Sequence, residues 1–337
     1  MKRLSFGVAF GTAMAFLIVS AFLGVLYGSD GASLSQALAG EGNAALIVFH
    51  IRLKKVLLAA VAGGGLAVVG GAFQALLRNP LAEPYILGVS GGAALGATTA
   101  IGFGLSTATA LGATLTPLAA LVGGLATTLL VYRLARRMPK GGSGASILLA
   151  GIMVNAICAA LITLAKMVVS PSRAKHMLRW LVGFIELPST AALAAVACYV
   201  IAGSVALMLD AGRMNLLALG DESAASLGLE VEGLERRVFL GSSCIVGAIV
   251  AMTGLIGFVG LVVPHAVRRL VGPDHRKLLP VAFVFGGGTL VLCDLLARLA
   301  LREVGNKLPV GAVTALLGGP AFIYLLMRGA PQTSTNA

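Results

Sequence analysis

Charged residues are scarce in this sequence. Only 11% of the 337 residues are Asp, Glu, Lys or Arg, and 13 acidic residues stand against 25 basic ones. An ordinary soluble domain carries about a quarter charged residues. Together with an apolar content of 58% and a mean hydropathy of +0.96, this excludes a water-soluble globular protein and predicts an integral membrane protein.

Cysteine is also rare, and its four copies are far apart. Cys158, Cys198, Cys244 and Cys293 each lie in an apolar run without a partner nearby in sequence. This pattern argues against a disulfide framework and against a cysteine-based metal site. We expect four buried thiols.

Catalytic and nucleotide-binding motifs are missing. The sequence has no G-x-x-x-x-G-K-[ST] loop, no H-E-x-x-H and no G-x-S-x-G. The chain therefore does not bind ATP through a P-loop, and we expect no catalytic residue, cofactor, metal ion or nucleic-acid partner.

Carboxylates are nearly absent from the middle of the apolar runs. Asp294 is close to an outer end, one turn before Arg298, and this spacing predicts an ion pair between them. A proton- or sodium-coupled carrier is expected to use a carboxylate in mid-membrane. The near absence of such a carboxylate favours a transporter that is driven by a source of energy other than a proton or sodium gradient.

Apolar runs near the 20 residues that cross a bilayer recur along the chain. They predict a single transmembrane domain over residues 1–337 with about ten spans, near 6–27, 53–76, 88–104, 109–134, 145–168, 191–209, 237–253, 255–267, 278–300 and 309–327. The first run is longer than a signal-peptide core and lacks a clear cleavage site, so we predict a retained helix. The third and eighth runs are short and glycine-rich, which predicts broken or tilted helices that lie against protein.

Small residues recur at every fourth position in several runs. The repeats are Gly63, Ala67 and Gly71; Gly88, Gly92 and Gly96; and Gly311, Ala315 and Gly319. This spacing lets helices approach closely.

Basic residues lie on both predicted faces of the membrane. Ten spans with a cytoplasmic N-terminus place both termini inside. The outer ends and loops then hold more basic than acidic residues, the basic ones being Arg52, Lys54, Lys55, Lys166, Arg173, Lys175, Arg179, Arg298, Arg302 and Lys307. A basic outer surface predicts an acidic docking partner or an anionic solute.

The longest predicted cytoplasmic loop, residues 211–236, reads AGRMNLLALGDESAASLGLEVEGLER. Small residues alternate with acidic ones, and Gly228 is predicted to divide the loop into two short helical pieces. A short amphipathic segment outside the bilayer can occupy a groove on another protein.

Several segments resemble the iron-siderophore, haem and cobalamin permeases of ABC importers. GAFQALLRNPLAEPYILGVSGGAALGA (71–97) and GLIGFVGLVVPHAVRRL (254–270) are similar to that family's signature blocks, and 52–71 and 307–326 to its remaining blocks. LALGDESAASLGL (217–229) resembles the EAA-type loop that engages the ATPase. One departure is Lys54, where the family usually has proline.

The resemblance implies an all-α integral membrane protein with the type II ABC importer permease fold and about ten transmembrane helices. It implies a homodimer with a translocation path along the subunit interface, two cytoplasmic ATPase subunits and a periplasmic substrate-binding protein. The expected location is the bacterial inner membrane. The expected cargo is an iron complex, siderophore or haem, or cobalamin.

The resemblance also assigns candidate residues to four sites. The residues expected to couple to the ATPase are Leu219, Gly220, Asp221, Glu222, Ala225, Leu227 and Gly228. A cytoplasmic elbow, in which Pro264 ends the eighth helix and a basic turn follows to Lys277, comprises Pro264, His265, Arg268 and Arg269. The residues expected to meet the binding protein are Arg52, Lys55 and Arg298. Two cytoplasmic gate loops contain Asn79, Pro80 and Leu81, and Gly142, Ser143 and Gly144.

Two other classes stay open from the residues alone. A proton-coupled secondary transporter would need the mid-membrane carboxylate, and a membrane-embedded enzyme would need a converging set of polar residues. The cargo is open as well. The outer stretch SPSRAKHMLRW (170–180) suits an anionic iron chelate or haem propionates, and cobalamin remains an alternative.

Overall fold

A computed structural model describes residues 4–28, 31–40, 42–105, 115–138, 144–304 and 308–327. Over these residues the chain is helical and contains no β-strand. The helices are α1 (Phe6–Leu26), α2 (Leu34–Leu38), α3 (Leu53–Leu76), α4 (Val89–Gly102), α5 (Leu115–Arg137), α6 (Gly144–Val168), α7 (Pro171–Leu181), α8 (Thr190–Leu209), α9 (Ala211–Leu217), α10 (Asp221–Ser226), α11 (Val231–Thr253), α12 (Val259–Val271), α13 (His275–Val304) and α14 (Val310–Met327).

Seven of the described helices are long and apolar enough to cross a membrane. Six of them are α1, α5, α6, α8, α11 and α13. The seventh is the continuous helix Leu46–Leu76, which contains α3. The shorter helices α4, α12 and α14 overlap the three remaining predicted runs, although α12 begins and ends four residues later than the predicted run 255–267. The all-helical membrane fold is therefore confirmed, and seven of the ten predicted spans correspond to helices long and apolar enough to cross a membrane.

The second membrane helix begins earlier than predicted. A π-helical segment, Leu46–Arg52, leads into α3 without a break. A proline at position 54 would remove a backbone N–H and disfavour helical geometry at the residue before it. With Lys54 in that place, the helix runs through residues 52–55 uninterrupted.

Helix α3 is the centre of the bundle. Every residue from Ala62 to Leu76 is buried, and the helix packs against α13, α12, α11 and α8. A Cβ atom added at Gly63 would overlap the backbone of Gly286 in α13, and one added at Gly70 would overlap the backbone of Gly260 in α12. The close approach predicted from small-residue spacing is confirmed for α3.

The third and eighth spans are short, as predicted. Gly88, with a φ of 91°, precedes α4, and Phe258, with a φ of 68°, precedes α12. The left-handed conformation at each position interrupts the helix, so residues 254–258 form a non-helical break between α11 and α12. Such backbone is tolerated at membrane depth only where protein surrounds it.

Pro264 does not end the eighth helix, contrary to the prediction. It lies inside α12, which continues to Val271 and ends at Gly272 with a φ of 90°. A proline removes only one backbone hydrogen bond, and neighbouring side chains in a bundle can satisfy freed carbonyls. The carbonyl that loses its helical donor at Pro264 is that of Gly260. Gln74 Nε2 of α3 donates to the next carbonyl oxygen, that of Leu261, at 3.2 Å.

The prediction of four buried thiols is correct only in part. Cys158 and Cys293 are buried, whereas Cys198 is exposed and Cys244 half-buried. A lipid-facing helix surface is as apolar as a packed one. An apolar run therefore does not tell which of its residues face other helices.

Candidate functional site

The predicted coupling loop folds into two short helices, α9 and α10, which precede α11. Gly220, with a φ of 105°, separates α9 from α10. The prediction that Gly228 divides the two helical pieces is therefore wrong. Gly228 instead follows α10, with a φ of 83°. Both conformations favour glycine because it has no Cβ atom.

Gly228 ends α10 in a Schellman motif. The N–H of Gly228 donates to the Ala225 carbonyl oxygen at 2.9 Å, and the N–H of Leu229 donates to that of Ala224 at 3.0 Å. These bonds satisfy carbonyls at the helix end and fix the direction in which the chain leaves α10.

Exposed leucines flank α10, and exposed acids begin it. Leu219 and Leu227 are 61% and 60% exposed, and Asp221 and Glu222 between them are also exposed. Ala224 is buried on the opposite side, where α10 packs on α9 and α11. Exposed apolar anchors on a short helix are typical of a segment that fits a groove on another protein.

The elbow after α12 is held by α9. Asn215 Nδ2 donates to Asp274 Oδ1 at 2.7 Å, and Asn215 Oδ1 accepts the His275 backbone N–H at 2.9 Å. Asp274 also accepts the Arg276 N–H at 3.0 Å. Burial alone would raise the pKa of Asp274, but the hydrogen bonds from Asn215 and Arg276, with the charges of Lys277 and Arg276, lower it. The elbow therefore carries a carboxylate that is ionised at neutral pH.

The predicted basic residues of the elbow lie within α12. His265 is in the middle of the helix, and Arg268 and Arg269 are in its last turn, where positive charge interacts favourably with the helix dipole. The Arg269 guanidinium donates to the carbonyl oxygen of Leu325 in α14. The turn itself begins at Gly272.

The described parts of the two predicted gate loops lie side by side. Asn79 Oδ1 accepts the Leu81 N–H at 2.9 Å, which forms a local turn after α3. Gly144 begins α6, and a Cβ atom added there would lie 3.1 Å from the Cα of Leu77. Gly142 and Ser143 lie outside the described residues. The gating role of both loops stays a prediction.

Two of the three predicted docking residues are buried. Arg52 is 2% exposed and Arg298 is 5% exposed. Arg52 donates to the carbonyl oxygens of Val25 and Leu26 at 3.1 and 2.9 Å, and Arg298 donates to that of Gly24 at 3.0 Å. These carbonyl groups lie in the last turn of α1, where the helix has no backbone N–H group left to bond them.

The outer surface therefore differs from the predicted one. The Arg298–Asp294 ion pair is confirmed, with 2.9 Å between Nε and Oδ2. The surface placement of Arg52 and Arg298 is wrong, because both side chains stabilise the C-terminal end of α1 from inside the bundle. Lys55 is half-buried and remains the accessible member of the predicted set.

A polar junction that the sequence reasoning missed surrounds the break at residues 254–258. The Phe258 N–H donates to Glu83 Oε1 at 2.7 Å, and the Ile256 N–H donates to the Tyr85 hydroxyl oxygen at 2.5 Å. Asn155 Nδ2 donates to the Tyr85 carbonyl oxygen at 2.6 Å. The segment between α3 and α4 thus satisfies backbone groups that the break leaves without helical partners.

Glu83 lies well inside the bundle. Its neighbour Pro84 is beside Gly260, which touches α3 at Leu66 and Gly70. At 1.5 Å per residue, Gly70 is about 9 Å from the C-terminal end of α3. The expected scarcity of carboxylates at depth therefore has an exception in Glu83. The Asn-Pro turn before it is typical of a surface loop and gives no sign that the chain turns back inward.

Glu83→Ala is expected to lower the free energy of unfolding by about 1–3 kcal/mol, because the half-buried Phe258 N–H would lose its acceptor. Glu83→Gln is the matched control, since its amide oxygen still accepts that bond. Thermal unfolding of the detergent-solubilised protein measures both. Equal melting temperatures for the two variants would contradict the hydrogen bond.

Comparison with known proteins identifies the family. The sequence model of the FecCD transport family matches residues 14–328. The hemin transport system permease protein HmuU of Yersinia pestis is 39% identical, over 86% of this chain and 85% of its own. The vitamin B12 import system permease protein BtuC of Klebsiella pneumoniae is 37% identical, over 93% of this chain and 91% of its own.

A solved structure shares the fold over almost the whole chain. It is described as an inward-facing conformation of a metal-chelate type ABC transporter and aligns with a TM-score of 0.84 at 29% identity, covering 96% of this chain and 100% of that one. The matched residues contain α3, the α9–α10 loop and the break before α12. The chain is a multi-pass membrane protein that belongs to the FecCD transport family.

Proposed function

We propose that this chain is the membrane-spanning permease subunit of a binding-protein-dependent ABC importer. The observation that carries the proposal is α10, a short helix that begins with two exposed acids and is flanked by the exposed leucines Leu219 and Leu227. Such a helix fits a groove on a cytoplasmic ATPase subunit. The chain itself supplies no P-loop, so ATP hydrolysis belongs to that partner.

The proposed assembly contains two copies of this chain, two ATPase subunits and one periplasmic binding protein, in the bacterial inner membrane. Both termini are cytoplasmic. ATP binding closes the ATPases and displaces α10, and the two permease subunits then rock so that the path between them opens to the other side. The cytoplasmic gate comprises the turn at Asn79–Leu81 and the loop before Gly144.

The proposed cargo is an iron complex or cobalamin. Two relatives are named for hemin and vitamin B12 transport. The outer helix α7 adds Arg173, Lys175 and Arg179, whose side chains are exposed. Positive charge at this surface favours an anionic chelate or haem propionates, because complementary charge speeds encounter.

The test is reconstitution. Liposomes that hold this chain with its ATPase are supplied with ATP and with a binding protein loaded with ferric siderophore, haem or cobalamin. We expect one ligand to stimulate ATP hydrolysis and to accumulate inside. Failure of every loaded binding protein to stimulate hydrolysis, together with uptake driven by a proton gradient alone, would overturn the importer assignment.

The second candidate is a proton-coupled carrier, which the half-buried carboxylate of Glu83 favours. Glu83→Gln separates the two functions in the same liposomes. It keeps the hydrogen-bond acceptor for Phe258 but cannot exchange a proton. An ATP-driven importer should retain its uptake in this variant, whereas a carrier that moves protons through Glu83 should lose it.

A further inference from the structure

Arg78 stands in an unfavourable backbone conformation at a position where glycine is usual. Its φ is 46°, and it is the second residue after the end of α3. Its N–H donates to the Ala75 carbonyl oxygen at 3.2 Å, as in a helix-ending motif that normally carries glycine. A non-glycine residue persists in this conformation when its side chain is needed.

The side chain of Arg78 reaches the coupling loop. Its Nη2 forms an ion pair with Asp221 Oδ1, at the first residue of α10. Both side chains are about half-exposed, and such a pair contributes little to folding stability. Its position is more informative than its strength, because it joins the end of α3 to α10 across a long interval of sequence.

The chain that follows Arg78 reaches the break before α12. Residues 78–85 turn at Asn79 and then carry Glu83 and Tyr85, which accept the backbone N–H groups of Phe258 and Ile256. One stretch of eight residues, here called the linking segment (78–85), is therefore bonded to α10 at one end and to the start of α12 at the other.

We propose that the linking segment transmits the movement of α10 to the break before α12, with the Arg78–Asp221 ion pair as its cytoplasmic contact. The proposal rests on the proposed function, since α10 is moved by the ATPase. Displacement of α10 pulls Arg78, and the hydrogen bonds of Glu83 and Tyr85 carry that displacement to the backbone at 256–258. Arg78 is thus a positioning residue for transport and not a ligand of the cargo.

Arg78→Gly tests the link without damaging the fold. Glycine adopts a φ of 46° without strain, so the melting temperature should be retained or raised. Uptake per ATP hydrolysed in the reconstituted complex should nevertheless fall by about 3- to 30-fold, the range typical of residues that carry coupling between sites. Arg137→Gly is the control, because it removes another exposed cytoplasmic charge at a helix end, that of α5.

A charge exchange identifies the partner. Arg78→Asp alone should lose coupling, and Arg78→Asp combined with Asp221→Arg should restore most of it, since aspartate tolerates the left-handed conformation. Wild-type uptake in Arg78→Gly, or a double variant no better than its two single variants combined, would overturn the link while leaving the importer intact. Absence of ATP-driven uptake in the unmodified complex would overturn the proposed function, and the link with it.

Discussion

Gly70→Ala is expected to prevent most of the protein from folding in the membrane. The added Cβ atom would overlap the carbonyl oxygen of Gly260 and lie 2.7 Å from its Cα. Both obstacles are backbone atoms in the buried contact between α3 and α12, so no side-chain rotation relieves them. Overpacking of a core costs up to about 3 kcal/mol in ordinary cases and more where backbone must shift.

The yield of monodisperse protein after detergent extraction measures this effect. Gly71→Ala is the matched control in the same helix, because its Cβ atom would meet the movable side-chain ends of Leu279 and Leu278, at 2.8 and 3.1 Å. Gly11→Ala in α1 has nothing within 4 Å and should match the unmodified protein. A yield for Gly70→Ala as high as that for Gly71→Ala would show that α3 and α12 do not touch through their backbones.

The sequence predicts the helices well because a membrane span depends on residues that are consecutive in the chain. An apolar run near 20 residues is sufficient to define a span, and the structure places helices at each predicted run. Glycine density in the third and eighth runs also predicts that α4 and α12 are short. Local glycine spacing predicts the tight face of α3, because small residues on one face have few other uses in a bundle.

The sequence does not predict contacts between distant residues. Arg52 and Arg298 are basic residues near the ends of apolar runs, which is typical of a docking surface, yet both donate to the last carbonyls of α1. Asp294 beside Arg298 is the one local sign of burial, because a paired charge can lie inside a bundle. Glu83 gives no such sign, since its partner is the backbone of Phe258.

The coupling loop shows the same limit on a smaller scale. Either Gly220 or Gly228 could separate the two helical pieces, and the amino-acid composition does not tell which one does. The hydrogen bonds do: Gly228 closes the Schellman motif, whereas Gly220 precedes α10 and its carbonyl oxygen accepts the Ala224 N–H at 2.9 Å. The function of Gly228 is therefore to set the direction of α10 relative to α11.

Gly228→Pro is expected to uncouple ATP hydrolysis from uptake. Proline fixes φ near −65°, whereas Gly228 has a φ of 83°, and proline lacks the N–H that bonds Ala225. The proline ring cannot reach the original φ, so the Schellman motif is lost and α10 changes direction. Uptake per ATP hydrolysed should then fall at least about fivefold. Insertion should be unaffected, because α10 lies in a connection between membrane helices.

Gly228→Asn is the control for this change. Asparagine adopts positive φ more readily than other side-chain-bearing residues and keeps the N–H, so the Schellman motif and uptake should both survive.

Substituting Asp221 and Glu222 together should uncouple ATP hydrolysis from uptake as Gly228→Pro does, since it alters the exposed face of the same helix. Uptake and ATP hydrolysis are measured in the same liposomes for all three variants. Normal uptake with Gly228→Pro would mean that the direction of α10 is irrelevant to transport. The proposed ATPase would then have to act through another surface, such as the elbow at Asp274–Lys277, which is hydrogen-bonded to Asn215 of α9.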